Sequence, residues 1–434
     1  MYKPGNIKVS VGGPESDLGT AVERTQRLPV TGYVEVNKQA NKAPSEVITG
    51  RSTIHKNYID SIDLSMEVPM ELHCDKGTGL LLVSNIGQDL ATPVQVGGAV
   101  RISYTGTSAS CKIVVANIVE PAAKTIAALK GALGAEEADT GFATTGTIDL
   151  TGADYDTLTE LKTKIASYAD YDCEILFGAD ACPTTDPLAI TAAQAAGNSV
   201  VVYFKSADSG VYLHRFTPVL TGTERPTLSF QVDGTGLSYD VLAGAVVDAL
   251  SLSADLKGRV ALTASMIGTA TTTSETATTV ALNEKKPMKF SGSKFYLAGT
   301  GATFVRSLSA TIANNHSTDE GFGAGSLYKQ DHSKGMFNVN GTITMRSTTA
   351  TEVEYAKRIT EDQSSLTFLF TGDNLATSIP EMLLVRIPHV ELNATKSAGD
   401  TSIDTEFSFD MVDPQSYDEP LTVDMLTTDA VKYN

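Results

Sequence analysis

The residues best suited to chemistry in this chain are carboxylates and histidines. In the run SIDTEFSFDM (402–411) a period of two sets Asp404, Glu406 and Asp410, with Ser408 between, on one side. Ile403, Thr405, Phe407, Phe409 and Met411 fall on the other. Two acids at such a spacing are the minimum equipment of a glycosidase, one to protonate and one to attack or activate water. The row is continuous along the strand, however, and the chain has no Trp to form a sugar platform, so an acidic, solvated face is the simpler reading. Asp248 and Asp255 sit in another strand in the same way. His316 and His332 flank the Gly-rich run GFGAGS (321–326) and, with Asp319 and Asp331, have the types needed for a metal or acid–base site. The six histidines, at 55, 73, 214, 316, 332 and 389, show no metal-ligand spacing, so His316, His332, Asp319 and Asp331 are expected to be solvated loop residues. The GFGAGS run lacks the Lys of a phosphate-binding loop and is preceded by acids, which leaves a flexible loop. No GxSxG, HExxH, Walker or strand–GxGxxG–helix pattern occurs. No enzyme activity, cofactor or metal is expected.

Composition narrows the class further. The 434 residues hold 51 acidic and 33 basic side chains, a net charge of −18, which argues against a face that wraps nucleic acid. A 41% hydrophobic content supplies real cores, while charged residues at 19% are sparse and Thr, Ser, Gly and Ala fill the rest, as suits many short strands. Cys74, Cys111, Cys173 and Cys182 form no CxxC pair and read as buried, idle thiols. The start, MYKPGNIKVSVGGPESD, has no apolar signal region, and no apolar run reaches membrane-spanning length. A cytoplasmic origin without membrane insertion is expected. The sequons at Asn315, Asn340 and Asn393 mean little in that setting.

The elements that must carry these residues are mostly strands. Strand patterns cover 33–36 and 58–72, and a helix fits 79–88 with Gly87 at its end. The segment 105–213 differs in character, with six lysines, no arginine and fourteen acids. It reads as strands at 111–118, 145–150, 172–177 and 199–204 around a helix at 156–168, capped by Asp154 or Asp156 and apolar at Leu158, Leu161, Ile165 and Tyr168. Loops are expected at 131–141 and 178–187. Beyond it come a strand at 227–232, a long hairpin (240–256 and 259–267, turning at Lys257 and Gly258) and a polar, low-complexity linker at 269–279. Strands at 303–312 and 337–346, a helix at 350–359, a strand at 366–370 and a second long hairpin (383–394 and 402–411, turning through 396–400) follow. Strand, helix, strand, long hairpin thus occurs twice, which points to a duplicated unit. Residues 1–30 and 412–434 lack periodicity and read as extended arms.

Three stretches carry a family resemblance. VLAGAVVDALSLSADLKGRVALTASMIG (241–268) resembles the signature hairpin of the tail tube proteins of long-tailed bacteriophages. MLLVRIPHVELNATKSAGDTSIDTEFSFDMVDP (382–414) is similar to that family's closing segment, and GMFNVNGTITMRSTTATEVEYAKRI (335–359) to its strand-then-helix unit. The inserted segment departs from the pattern and looks like small domains appended to other phage structural proteins. The resemblance implies a mainly β chain of tail-tube-type sandwich and barrel units with short helices; the element order adds that the unit is duplicated and that 105–213 is a small α/β domain set into it. The division expected is 1–104 plus 214–268 as the first unit, 105–213 as the insertion and 269–434 as the second unit.

The resemblance also implies a virion structural protein, assembled in the host cytoplasm, whose subunits pair strands across their borders into rings that stack as a tail tube. About two dozen strands ~4.8 Å apart and tilted ~40° close into a barrel roughly 45–50 Å across, wide enough for duplex DNA. Partners implied are the chain itself, as trimeric pseudo-sixfold or hexameric rings, and the tape measure, tail terminator and tail tip proteins. Double-stranded DNA would pass without specific binding, past channel-lining acids at Asp248, Asp255, Asp404, Glu406 and Asp410. The inserted domain should project outward. Competing classes are the inner tube of a contractile injection device, a secreted or surface-displayed β-sandwich adhesin, and a carbohydrate-active enzyme. The last predicts glycoside hydrolysis that disappears in the Glu406→Gln variant; a panel of chromogenic glycosides showing no turnover with the parent protein is the expected result.

Overall fold

The computed structural model describes residues 7–44, 57–90, 92–108, 110–118, 123–132, 135–142, 147–151, 155–180, 182–219, 225–234, 239–274, 276–283, 285–317, 320–359, 363–398, 402–413 and 419–433. The chain begins with β1 (Lys8–Gly12), β2 (Gln26–Leu28), β3 (Asn37–Pro44), β4 (Asn57–Glu71) and α1 (Lys76–Ile86). A long interposed stretch holds β5 (Gly87–Gln88), β6 (Val94–Tyr104), β7 (Ser110–Ile118), β8 (Ala123–Ala132), β9 (Ala135–Ala138), β10 (Thr147–Asp149), α2 (Leu158–Ala166), β11 (Tyr171–Gly178), β12 (Ile190–Gln194), β13 (Ser199–Lys205) and β14 (Tyr212–Pro218). The first series then resumes with β15 (Leu228–Asp233), β16 (Tyr239–Asp255), β17 (Ala261–Gly268) and β18 (Ala270–Ser274). A second series follows: β19 (Lys294–Leu297), β20 (Thr300–Ala302), β21 (Val305–Ala313), β22 (Asn338–Arg346), α3 (Thr349–Lys357), β23 (Ser364–Ala376), β24 (Ile379–Ala398), β25 (Ile403–Met411) and β26 (Thr422–Thr427).

The two series are the same fold. The hairpin β1–β2 recurs as β19–β20, and β3–β4 as β21–β22. β15 lies between β1 and β16 as β23 lies between β19 and β24. The long hairpins correspond, with β17 set against β4 and β25 against β22. β18 runs beside the start of β16 as β26 runs beside the start of β24, residues 239–243 facing 270–274 and residues 382–386 facing 422–426. All these pairings are antiparallel. The duplication read from element order is therefore present at the level of individual ladders, and the architecture is mainly β with short helices.

β16 and β24 each serve two sheets. The first part of β16 pairs with β15 and β18, and the second with β17 and β21, with a register break between Val247 and Ala249. An extra residue in one strand bends it and sharpens its twist, which lets one strand pass from the outer layer to the inner. The apolar faces meet in one large core that includes Met66, Leu262, Ile343 and Phe407.

α1 lies inside this core. Asp75 caps it by accepting from the Thr78 amide at 3.0 Å, and Gly87 ends it at φ 110°, a left-handed conformation suited to glycine. The cap starts the helix a turn before the expected 79–88. Its GLLLV run is apolar all round because nearly every residue is buried. α2 is capped by Thr157 and Glu160, a reciprocal capping box, rather than by Asp154 or Asp156, and buries Leu158, Leu161 and Ile165 as expected.

The segment read as an inserted α/β domain contains α2 and two antiparallel sheets. β6 lies between β11 and β13, and β10, β8, β7 and β12 form the second sheet. A separate core fills the space between them. The other face of the β6 sheet buries Val96, Val201 and Tyr203 against Leu384 and Leu426. Burial on both faces explains the unbroken apolar run SVVVYF in β13.

Several local expectations need correcting. β9 occupies part of the expected loop 131–141, and the low-complexity linker at 269–279 contains β18. Neither chain end is a loose arm across the described residues: β1 is clasped between β2 and β15, and β26 between β14 and β24. Lys396, expected in a turn, lies within β24, while 399–401 fall outside the described residues, as do 1–6, 414–418 and Asp154.

The last residues are fastened to α1. Tyr433 stacks on His214 with ring centroids 4.4 Å apart, and its hydroxyl donates to Asp429 at 2.9 Å. His214 Nδ1 lies 2.8 Å from the Asp89 carboxylate, both fully buried. The Tyr433 ring fills the place a side chain at Gly79 would take. Gly79→Ala should cost about 1–3 kcal/mol through overpacking, and Tyr433→Ala should add less in that background than alone; urea unfolding of the two single variants and the double variant measures both.

Candidate functional site

The acids singled out in the sequence lie on or beside one sheet face. The inner sheet runs β3, β4, β17, β16, β21, β22, β25, β24, each strand bonded to the next. One face is apolar and lies in the large core. On the opposite face the strands put short polar and acidic side chains in register. One row reads Thr263, Ser251, Thr311, Asn340, Asp410 and Glu391. The next reads Ala261, Ser253, Ser309, Thr342, Ser408 and Asn393, and a third Asp255, Ser307, Thr344, Glu406 and Thr395.

β25 shows the mechanism most clearly. Thr405, Phe407 and Phe409 are buried, while Glu406, Ser408 and Asp410 are exposed, so the period-two reading of this strand holds from Thr405 to Asp410; Ile403, expected on the apolar side, is exposed at the strand's start. Asp255 is exposed at the end of β16. Asp410 stands opposite Glu391, and like charges directly opposed destabilise a sheet, so this placement needs a reason beyond the folding of one chain. Asp404 is different: Arg306 Nε donates to its carboxylate at 2.9 Å. Ser251 and Thr311 exchange a hydroxyl hydrogen bond at 2.9 Å. The three rows are made of hydroxyls, amides and carboxylates, with Ala261 at one end.

Glu391 and the Ser/Thr rows were not singled out in the sequence. The signal was available: Ser251 and Ser253, Ser307 and Ser309, and Thr342 and Thr344 each repeat at a step of two. Short hydroxylated side chains attract little attention singly, and their meaning appears only when six strands align them.

Asp248 is apart from the rows. It sits at the register break of β16 and is engaged by His316, whose amide donates to Oδ1 at 2.7 Å and whose Nδ1 lies 3.0 Å from the same oxygen. His332 donates from Nε2 to the Gly244 carbonyl at 2.7 Å, and the two imidazoles are 6.1 Å apart. Asp331 accepts from the His332 amide, and Asp319 lies outside the described residues. Among the described residues no group of three or more His, Cys, Asp or Glu side chains could hold a metal. The four thiols are free and buried, and burial pushes Cys173 up to about 12 and Cys111 up to about 11.

Burial alone would raise the Asp248 pKa, but the ring and amide of His316 outweigh it and hold the carboxyl below its usual range. A depressed folded-state pKa stabilises above the ordinary carboxylate value, and that stabilisation fades as pH falls through the folded value. Asp248→Asn should therefore lose about 1–2 kcal/mol at pH 7, with the difference from the parent shrinking below about pH 4; denaturant titrations across pH 3–7 measure it.

Among the described residues no helix is long and apolar enough to cross a membrane. A comparison with curated proteins returns no match. A family model described as phage tail tube protein matches residues 5–411, a span that takes in both repeats and the segment set between them. The family places the chain in the virion tail as a structural component. Matched over nearly its whole length and built as two copies of one β unit, the chain belongs to the phage tail tube proteins.

Proposed function

We propose that copies of this chain close into rings, that the rings stack into a tube, and that the polar face of the inner sheet lines a channel for double-stranded DNA during ejection. One observation carries this reading. The apolar side of an eight-strand sheet is covered by the rest of the chain, while its other side is bare, acidic and built of short side chains. Across these three rows the wall offers DNA neither bulk nor cations to grip; Arg346, exposed in register with Asp404, lies just beyond them. The carboxylates at Asp255, Glu406, Asp410 and Glu391 repel phosphate over about a Debye length, ~10 Å at 0.1 M salt. Phosphate binding requires cations. On this face Arg306 is committed to Asp404.

The repeat supports dividing the chain into two tube units, with the segment between α1 and β15 set into the first. Fixed to the tube through β6, β13 and β14, that segment decorates the outer surface. Two units per chain make three copies a pseudo-sixfold ring. Tape measure, terminator and tip proteins are the further partners. The chain performs no catalysis in this role.

Negative-stain electron microscopy of the concentrated protein tests the assembly: hollow rings or tubes with threefold symmetry are expected, and a monomer at every concentration, with or without a tail-tip initiator, overturns it. The channel assignment has its own test. Assemblies carrying Glu406→Lys and Asp410→Lys should retain double-stranded DNA at low salt and release it as salt rises, whereas parent assemblies should not; equal retention by both would place these residues elsewhere.

A further inference from the structure

One pairing of the repeat has no counterpart inside the chain. The second part of β16, residues 249–255, pairs with β21, which joins the first unit to the second. The equivalent strands are β24 and β3. Along 391–398, β24 has β25 on one side and no strand on the other among the described residues, and β3 has only β4. From the internal junction we infer that the free edge of β24 receives residues 31–37 of a second copy of this chain, antiparallel and in the register that β16 and β21 already display. This rests on the ring-forming reading above and specifies which edges meet.

The register follows from the repeat. Superposing the two series ladder by ladder carries Leu250 onto Leu392 and Leu252 onto Ala394, and extending the β3–β4 register back from Asn37 carries Ile312 onto Val36 and Ala310 onto Val34. Leu250 faces Ile312 and Leu252 faces Ala310 within the chain. Leu392 then faces Val36 of the neighbour, and Ala394 faces Val34. All four are buried on the core side, so their alternation matches and no apolar side chain is turned to the polar face. Ser251 and Thr311, whose hydroxyls touch at 2.9 Å, become Asn393 and Glu35, both exposed in the single chain.

Two further features fit an edge awaiting a partner. β21 is a regular strand held on both sides, whereas its equivalent stretch, 29–37, follows β4 irregularly, with an isolated bridge between Val30 and Met70 and a regular ladder only from Asn37. The helices differ in the same sense. α1 sits at the internal junction, where Asn85 Nδ2 donates to the Ile312 carbonyl of β21 at 3.4 Å, and it is buried. α3 occupies the equivalent position beside β24 and leaves Val353 59% exposed, with Ile359, two residues past its end, 77% exposed. An open edge of this length is an aggregation hazard unless a specific strand takes it.

Disulfide trapping tests the register. Asn393→Cys and Glu35→Cys proteins, mixed and oxidised, should give a covalent dimer on a denaturing gel. Asn393→Cys mixed with Asn37→Cys, two residues out of register, should give at least ten-fold less. Ser251→Cys with Thr311→Cys in one chain should close internally at a similar rate and calibrate the geometry. Rings or tubes visible by microscopy without the Asn393–Glu35 bridge would overturn this pairing and leave the ring reading intact. Absence of any assembly, even with a tail-tip initiator, would overturn both. Hydrogen exchange gives an independent readout: amides 31–37 should gain protection at least ten-fold on assembly, and unchanged exchange in formed rings counts against the pairing.

Discussion

The structure depends on an alternation kept in phase across adjacent strands. Each inner strand sends every second side chain into a common core, and a slip of one residue would exchange the two faces entirely. Because β4, β17, β16, β21, β22, β25 and β24 share one phase, the sheet is apolar on one side and short, polar and acidic on the other. The core face then accounts for stability and leaves the other face free of any packing role. Phe407 and Phe409 hold β25 in place, and in doing so they fix where Glu406 and Asp410 project.

Much of this could be read from the residues. The two long hairpins, the turn at Lys257, the helix endings near Gly87 and the order of the repeat all followed from period-two patterns and turn chemistry. Strands without alternation were harder. β8, AKTIAALKGA, has a composition that suits a helix and becomes a strand because β7 and β10 flank it. β18 is a run of small polar residues whose strand character comes from the ladder offered by β16. The chain ends misled for the same reason: β1 and β26 are short, and one partner of each, β15 and β14, lies more than two hundred residues away in sequence. At the acidic face, four of the five acids were placed by periodicity. Asp248 was not, because a register break and a distant histidine decide its environment.

The interposed segment is bound into the body rather than tethered to it. Tyr203 donates to Asp424 at 2.7 Å, and Arg215 pairs with the same carboxylate through Nε and Nη2, so β13, β14 and β26 share one polar anchor beneath the apolar contacts. β14 also pairs with β5, directly after α1. The stretch therefore leaves and re-enters the first unit at neighbouring points, as an insertion must if the host ladders are to stay intact.

The segment between α1 and β15 occurs in one unit and not in the other, where α3 leads to β23 with only a few intervening residues. Had the ancestral unit remained a separate polypeptide, any such addition would have appeared at every position the unit occupies. Joining two units covalently ends that obligation. Each half is free to drift toward its own surroundings, so one can carry added bulk that the other does without.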